Sequence, residues 1–245
     1  DANFIKLCRT KINENGVLTL PNFLNEQIIK YLVEEGSDAQ SKAFFSNSTH
    51  NVYLTKNNSE LSDDHIFNRQ VVSSKGCITD DQIPQISPLK TLYNSDIFRE
   101  FLASVLGEQK LYEYADGLSS INVHYASEGE ELGWHFDNST FAITLLLQAP
   151  EAGGSFEYIK DLRDAEAGEM NFEGVKSLLD GKTKPEVLKV EPGTLVLFRG
   201  KNSIHRVTPT RGNKTRILVV LAYNTKPGIS LSKSAQITFF GRTAD

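Results

Sequence analysis

From residue 118 onward the chain is cut into apolar runs of strand length, and that rhythm constrains its fold more than any other feature. The runs fall at 119–125, 141–148, 155–159, 187–190, 194–199 and 216–223. Turn formers separate them, among them Gly153-Gly154, Pro192-Gly193 and Gly212-Asn213. Short apolar runs bounded by such punctuation read as strands buried on at least one face. Only 160–183 breaks the pattern, with charged, helix-compatible sequence that reads as an insertion between strands. Several strands at this spacing predict a sandwich or a jelly roll.

The first half has a different texture. The stretch G-V-L-T-L-P-N-F-L-N-E-Q-I-I-K-Y-L-V-E-E-G at 16–36 predicts a short strand over 17–20 and then a helix. Asn25 is placed to cap that helix and Gly36 to end it. A second helix fits 95–106, with Ser95 as cap and Gly107 as stop. Its residues Ile97, Phe98, Phe101, Leu102, Val105 and Leu106 keep helical spacing and read as core. The expectation is one domain over 1–245, mainly β with flanking helices. A helix-rich part (1–117) would pack on one sheet of a β core (118–225).

Composition narrows the function. A net charge of −5 lacks the basic balance of a general nucleic-acid binder. No apolar run approaches the ~20 residues of a membrane span. Two cysteines, Cys8 and Cys77, are too few for a disulfide framework or a structural zinc site. Four glycosylation-type triplets begin at Asn47, Asn57, Asn138 and Asn213. The third adjoins a candidate site residue, a poor place for a glycan. Cytoplasmic location is the expectation.

The chemistry concentrates at G-W-H-F-D-N-S-T-F, residues 133–141. Side chains at i and i+2 of a strand leave the same face, so His135 and Asp137 would point together. With five histidines and 31 acidic residues in the chain, such a pair arises by chance too readily to carry weight alone. Support comes downstream, where P-G-T-L-V-L-F at 192–198 precedes His205 and Arg216 opens the last long strand. Two histidines and one carboxylate make a facial triad, the donor set of non-haem Fe(II) oxygenases. Trp134, the only tryptophan, reads as packing beside it.

The ordered set W-H-F-D, A-G-G-S-F-E-Y, P-G-T-L-V-L-F and H-R-V-T-P-T-R-G-N-K-T-R-I resembles the Fe(II)/2-oxoglutarate-dependent dioxygenases of the double-stranded β-helix (jelly-roll) fold. The resemblance covers 118–225 in motif detail and extends loosely to G-V-L-T-L-P-N-F-L. Within that superfamily, H-F-D-N-S-T-F, L-L-L-Q-A-P-E-A-G-G-S-F-E-Y, Y-N-T-K-P-G and F-F-G-R look most like the stand-alone enzymes that halogenate or hydroxylate free amino acids. Lysine-type substrates are the best known in that group.

The resemblance implies that His135, Asp137 and His205 hold Fe(II), leaving positions for 2-oxoglutarate and dioxygen. It implies that Arg216 binds the far carboxylate of 2-oxoglutarate as a two-pronged donor, with Arg211 as the nearer competitor. Thr144 or Tyr125 would add a hydroxyl. The reaction would turn 2-oxoglutarate into succinate and carbon dioxide while oxidising an unactivated substrate C–H bond. In the halogenating relatives a small residue replaces the carboxylate, so Asp137 makes hydroxylation the expectation here. Pocket-lining candidates for an amino-acid substrate are Arg69, Asp116, His124, Asn138, Asn224 and Arg242.

Alternatives stay open. A peptidyl (prolyl-type) hydroxylase would need an open groove, whereas the 160–183 insertion fits a cover over a small substrate. Desaturation or ring closure would use the same residues. A jelly-roll binding module without turnover would need neither the triad nor Arg216.

Overall fold

The computed structural model describes residues 1–244. The chain opens with helix α1 (Ala2–Asn15), strand β1 (Val17–Leu20) and helix α2 (Glu26–Ala39). A long hairpin follows, β2 (Phe44–Asn51) and β3 (Gln70–Ile78), then helices α3 (Pro88–Tyr93) and α4 (Asp96–Leu106). Strands β4 (Ile121–Ala126), β5 (Leu132–His135), β6 (Ala142–Gln148), β7 (Ala152–Gly153) and β8 (Phe156–Ile159) lead into helix α5 (Phe172–Leu179). Strands β9 (Glu186–Leu188), β10 (Leu195–Phe198), β11 (Ile204–Val207), β12 (Thr210–Arg211) and β13 (Arg216–Leu221) complete the core before helix α6 (Lys233–Phe240).

Every pairing is antiparallel, in the order β1-β10-β6-β13-β4-β3-β5-β11-β8-β9, with β2 on the other edge of β3. Strand β3 makes the corner. Its end, Gly76–Ile78, pairs with β4, whereas Ser73 pairs with Leu132 of β5. The single sheet thus curls over on itself as a jelly roll, and β4 and β5 fall in facing layers. The short β7–β12 ribbon stands apart.

Alternation decides what each layer faces. On β4, β6, β10 and β13 the residues Ile121, Val123, Tyr125, Ile143, Leu145, Leu195, Leu197, Ile217 and Val219 join one buried cluster with Leu32, Phe98 and Leu102 of α2 and α4. The intervening residues of those strands face the inside of the curl. On the facing layer, Trp134, Phe136 and Ile204 pack outward with Tyr53 and with Val175 and Leu178 of α5. The 160–183 insertion therefore covers the outside of that layer. Trp134 points away from its neighbour His135, with the Arg206 guanidinium 4.7 Å over its ring.

The caps at Asn25 and Ser95 form as the sequence predicts, each side chain accepting a backbone N–H three residues on. Gly107 stops α4 at φ 82°. Gly36 does not stop α2, which continues to Ala39. Gly36 is buried instead, and a Cβ there would come within 3.6 Å of Ile217 on the sheet below. The glycine marks close packing of helix on strand. The sheet also begins earlier than the apolar texture at 118, because β1, β2 and β3 are part of it. Among the described residues no helix is long and apolar enough to cross a membrane.

Candidate metal centre and co-substrate pocket

His135 closes β5 and pairs in register with His205 of β11, so two adjacent strands bring both imidazoles to the inner face. Their ring centroids lie 4.1 Å apart. Asp137 follows two residues beyond His135, past the strand end. Its Oδ1 is 3.6 Å from His135 Nε2 and 3.5 Å from His205 Nε2. One ligand atom from each residue fits within 4.8 Å of the others, which suits a single ion.

Both rings are held by their far nitrogens. His135 Nδ1 meets the Gly133 carbonyl at 2.8 Å, and His205 Nδ1 meets the Ser203 carbonyl at 3.0 Å. A carbonyl can only accept, so each Nδ1 carries a proton and each Nε2 is the nitrogen turned toward the metal position. Burial, aided by His205, pulls the His135 imidazole down to about 3, which keeps it neutral. Burial alone would raise the Asp137 carboxyl, but the two histidines and Lys75 outweigh it and hold it low. Asp137 Oδ2 is buried without any hydrogen-bond partner. An orphaned carboxylate oxygen beside two imidazole Nε2 atoms is a donor set that suits a cation.

Two supports of this site carry no sequence signal of their own. Asp137 N–H donates to the Gly200 carbonyl at 3.0 Å, and a Cβ at 200 would overlap the Asp137 carboxylate. Arg163, from the insertion, donates to the Lys201 carbonyl at 2.8 Å and the Asp137 carbonyl at 3.4 Å. Its guanidinium also lies 4.2 Å over the Phe136 ring. Gly200 is visible in the sequence only as one more loop glycine, and Arg163 as one more charge.

Arg216 opens β13 opposite Ala126 of β4, on the inner face. It makes no hydrogen bond or ion pair with another described residue, and burial pulls its guanidinium down to about 10. It remains charged at neutral pH and lacks an anion. Gly154, at φ 58°, gives its stem room, since a Cβ there would come within 3.0 Å of Arg216 Cδ. Thr144 shares the inner face through its pairings with Val220 and Val196. Tyr125 does not. Its hydroxyl is buried on the helix side and donates to the Gly36 carbonyl at 2.6 Å. Arg211 is exposed in the β7–β12 ribbon.

The six substrate candidates scatter. His124 is on the inner face, with both ring nitrogens 3.3 Å from Lys75 Nζ. Burial, then Lys75 and Arg216, push its imidazole well below the usual range, so it is neutral. Asn138 is exposed beside Asp137, and Asn224 bridges to Tyr112 with its Nδ2 buried and unpartnered. The other three have structural partners. Arg69 pairs with Asp180 at 2.6 Å, tying the β2–β3 connection to α5. Arg242 clamps Asp81 at 2.7 Å. Asp116 accepts from the backbone N–H groups of Leu118, Ser119 and Leu231. Sequence reasoning did not pick out Lys75, an interior cation on β3.

The family model described as Halogenase D matches residues 1–238. No curated protein matches the chain by sequence. Among solved structures, it is similar to an oxidoreductase of the 2OG-Fe(II) oxygenase family from Burkholderia pseudomallei. That match is 13% identical, covers 92% of this chain and 93% of the other, and has a TM-score of 0.57. The epimerase SnoN, solved with Fe3+, alpha ketoglutarate and nogalamycin RO, matches with 10% identity, coverage of 91% and 84%, and a TM-score of 0.61. A Pseudomonas putida prolyl-4-hydroxylase matches with 14% identity, coverage of 88% and 96%, and a TM-score of 0.54. At these identities the likeness is one of fold.

Proposed function

Since the chain belongs to the Halogenase D family, we propose that it is an Fe(II)- and 2-oxoglutarate-dependent oxygenase that hydroxylates a small free amino acid or amino-acid-derived metabolite. The observation that carries this reading is the inner-face triad with its orphaned Asp137 oxygen, together with the unpaired Arg216 side chain on the inner face of β13. His135, Asp137 and His205 would hold the metal on one side and leave the other open to ligands. When bound, iron and 2-oxoglutarate supply the oxidising power, with dioxygen converting the keto acid to succinate and carbon dioxide.

The remaining work falls to the chain's own side chains. Arg216 offers the far carboxylate of 2-oxoglutarate a planar fork in a water-poor setting, where a charge-assisted pair is strong. Thr144, on the same face, can add a hydroxyl. Their carbonyl contacts place a proton on Nδ1 of His135 and His205, so Nε2 is the nitrogen each offers to a metal. Curling of the sheet encloses these groups and limits water at the reacting carbon.

The family's name points to halogenation, and Asp137 points the other way. Its carboxylate would serve as the third metal ligand in place of an exogenous halide, which favours hydroxylation. The test is succinate formation from 2-oxoglutarate with Fe(II), run against a panel of amino acids and read by mass spectrometry. We expect a product 16 mass units heavier and none carrying chlorine. A chlorinated product from the unaltered chain would overturn the hydroxylase reading. Absence of succinate under every condition would overturn the oxygenase reading altogether.

A further inference from the structure

A cavity of about 180 Å³ opens on the inner face between β3, β4, β13 and α6. By liquid volume it has room for about six waters, the size of a small acid and too little for a peptide. Its walls differ by region. Among the described residues Lys75, with His124 beside it, is the only charged side chain lining it. Ser119 and Asn122 offer neutral acceptors, and Ser119 Oγ is buried without a partner. Asn122 spends its amide nitrogen on the Leu118 and Ile121 carbonyls, which leaves its oxygen uncommitted. Val220 of β13 and Phe239 and Phe240 of α6 supply an apolar side.

Two features decide what fits. Among the described residues Lys75 has no carboxylate partner, and its ammonium meets the neutral His124 imidazole at 3.3 Å. An anion is therefore what the cavity lacks. Among the described residues no carboxylate lines the cavity, and the nearby Asp116 has both oxygens engaged by backbone N–H groups. A cationic side chain would enter without a counter-charge and beside a lysine.

We infer that this cavity is the substrate site, and that it takes a small α-amino acid or amino-acid-derived acid with a neutral, largely apolar side chain whose carboxylate pairs with Lys75. The inference rests on the oxygenase reading for its role in turnover. It departs from the lysine-type substrates that the resemblance brings to mind. Ser73, two residues before Lys75 on β3, bonds His50 Nε2 at 2.6 Å, and the His50 ring lies 6.3 Å from that of His135, so an acid held at Lys75 is on the triad's side of the curl.

The test is calorimetric binding under oxygen-free conditions, with and without Fe(II) and 2-oxoglutarate, using leucine, norleucine, N-acetylleucine, lysine and ornithine as probes. We expect at least one neutral-chain acid to bind about 100-fold more tightly than lysine or ornithine. Lys75→Met should weaken that acid at least tenfold while moving the 2-oxoglutarate constant much less. Val220→Asp, which places a carboxylate on the cavity wall, should shift preference toward lysine and serves if the Lys75 variant does not fold. Equal or tighter binding of lysine by the unaltered protein overturns the inference, as does failure of every neutral-chain acid to bind. An effect of Lys75→Met confined to 2-oxoglutarate would make Lys75 a co-substrate anchor and overturn it too. Succinate formation is scored separately. Its absence with the binding pattern intact would sink the oxygenase reading and leave the cavity assignment standing.

Discussion

The triad and the two interior cations share one face of the curled sheet, yet they are built in opposite ways. Both imidazoles of the triad have their far nitrogens fixed by backbone carbonyls, and Asp137 is fixed by Gly200 and Arg163. The Arg216 guanidinium has no hydrogen bond or ion pair with another described residue, and the Lys75 ammonium bonds only the neutral His124 imidazole among them. The difference teaches where each site gets its geometry. Metal ligands must be set before the ion arrives, because coordination tolerates little error. An anion anchor can stay unpaired, because its ligand completes it, and burial makes that pairing strong.

The largest effect should come from breaking the ordered half. His135→Ala or His205→Ala removes a ligand from a set of three. Metal binding, followed by calorimetry or by the Fe(II)–2-oxoglutarate absorption band, should be lost with turnover, while circular dichroism stays near that of the parent. Near-full activity in either variant would remove that histidine from the ligand set.

Gly200→Ala comes next and sharpens the comparison, since it alters no ligand. The added methyl overlaps the Asp137 carboxylate and must displace it. Metal affinity should fall roughly 10–100-fold, the range seen when outer supports of a metal site are lost. An unchanged affinity would mean that Asp137 is not held where it serves the metal.

In the unpaired half the loss should be narrower. Arg216→Lys swaps a planar fork for a point charge. The KM for 2-oxoglutarate should rise about tenfold or more, with metal affinity unaffected, as one lost charge-assisted bond requires. An unchanged KM would transfer the role to another cation, with Lys75 the first to examine.

The smallest effect belongs to Tyr125→Phe. Its hydroxyl bonds α2 and not the inner face, so stability should drop by about 1–2 kcal/mol in chemical denaturation. The KM for 2-oxoglutarate should stay put. A raised KM would place Tyr125 in the co-substrate pocket after all.

Much of this was legible in the chain because two periodicities report burial directly. The strands at 141–148 and 216–223 announced themselves by continuous apolar residues, since both faces of those strands are covered. Asn25 and Ser95 announced helices because a cap needs only local hydrogen bonds. Strands β2, β3 and β11 were not foreseen. The first two, as in F-F-S-N-S-T-H-N at 44–51, are polar and partly exposed, and β11 is only four residues long, so their partners make them strands. Gly36 misled for a related reason: a glycine that ends a helix and one that lets a helix approach a sheet look alike in sequence.

By itself, the sequence determined a β core of sandwich or jelly-roll type, the His-x-Asp and distant His, and the arginine that follows eleven residues later, and the ordered motifs resembled a jelly-roll family. Spacing along one strand and residue chemistry are local properties, and a chain carries them in plain order. The tertiary structure alone decided which hydroxyl faces the site, since Thr144 and Tyr125 differ only in the side of the sheet they occupy. It decided that Arg69, Asp116 and Arg242 are held by other residues. It also brought Lys75 of β3, Arg163 of the insertion and Gly200 of a distant loop to one place. Those meetings depend on how the sheet curls at β3, and no single stretch of sequence encodes a curl.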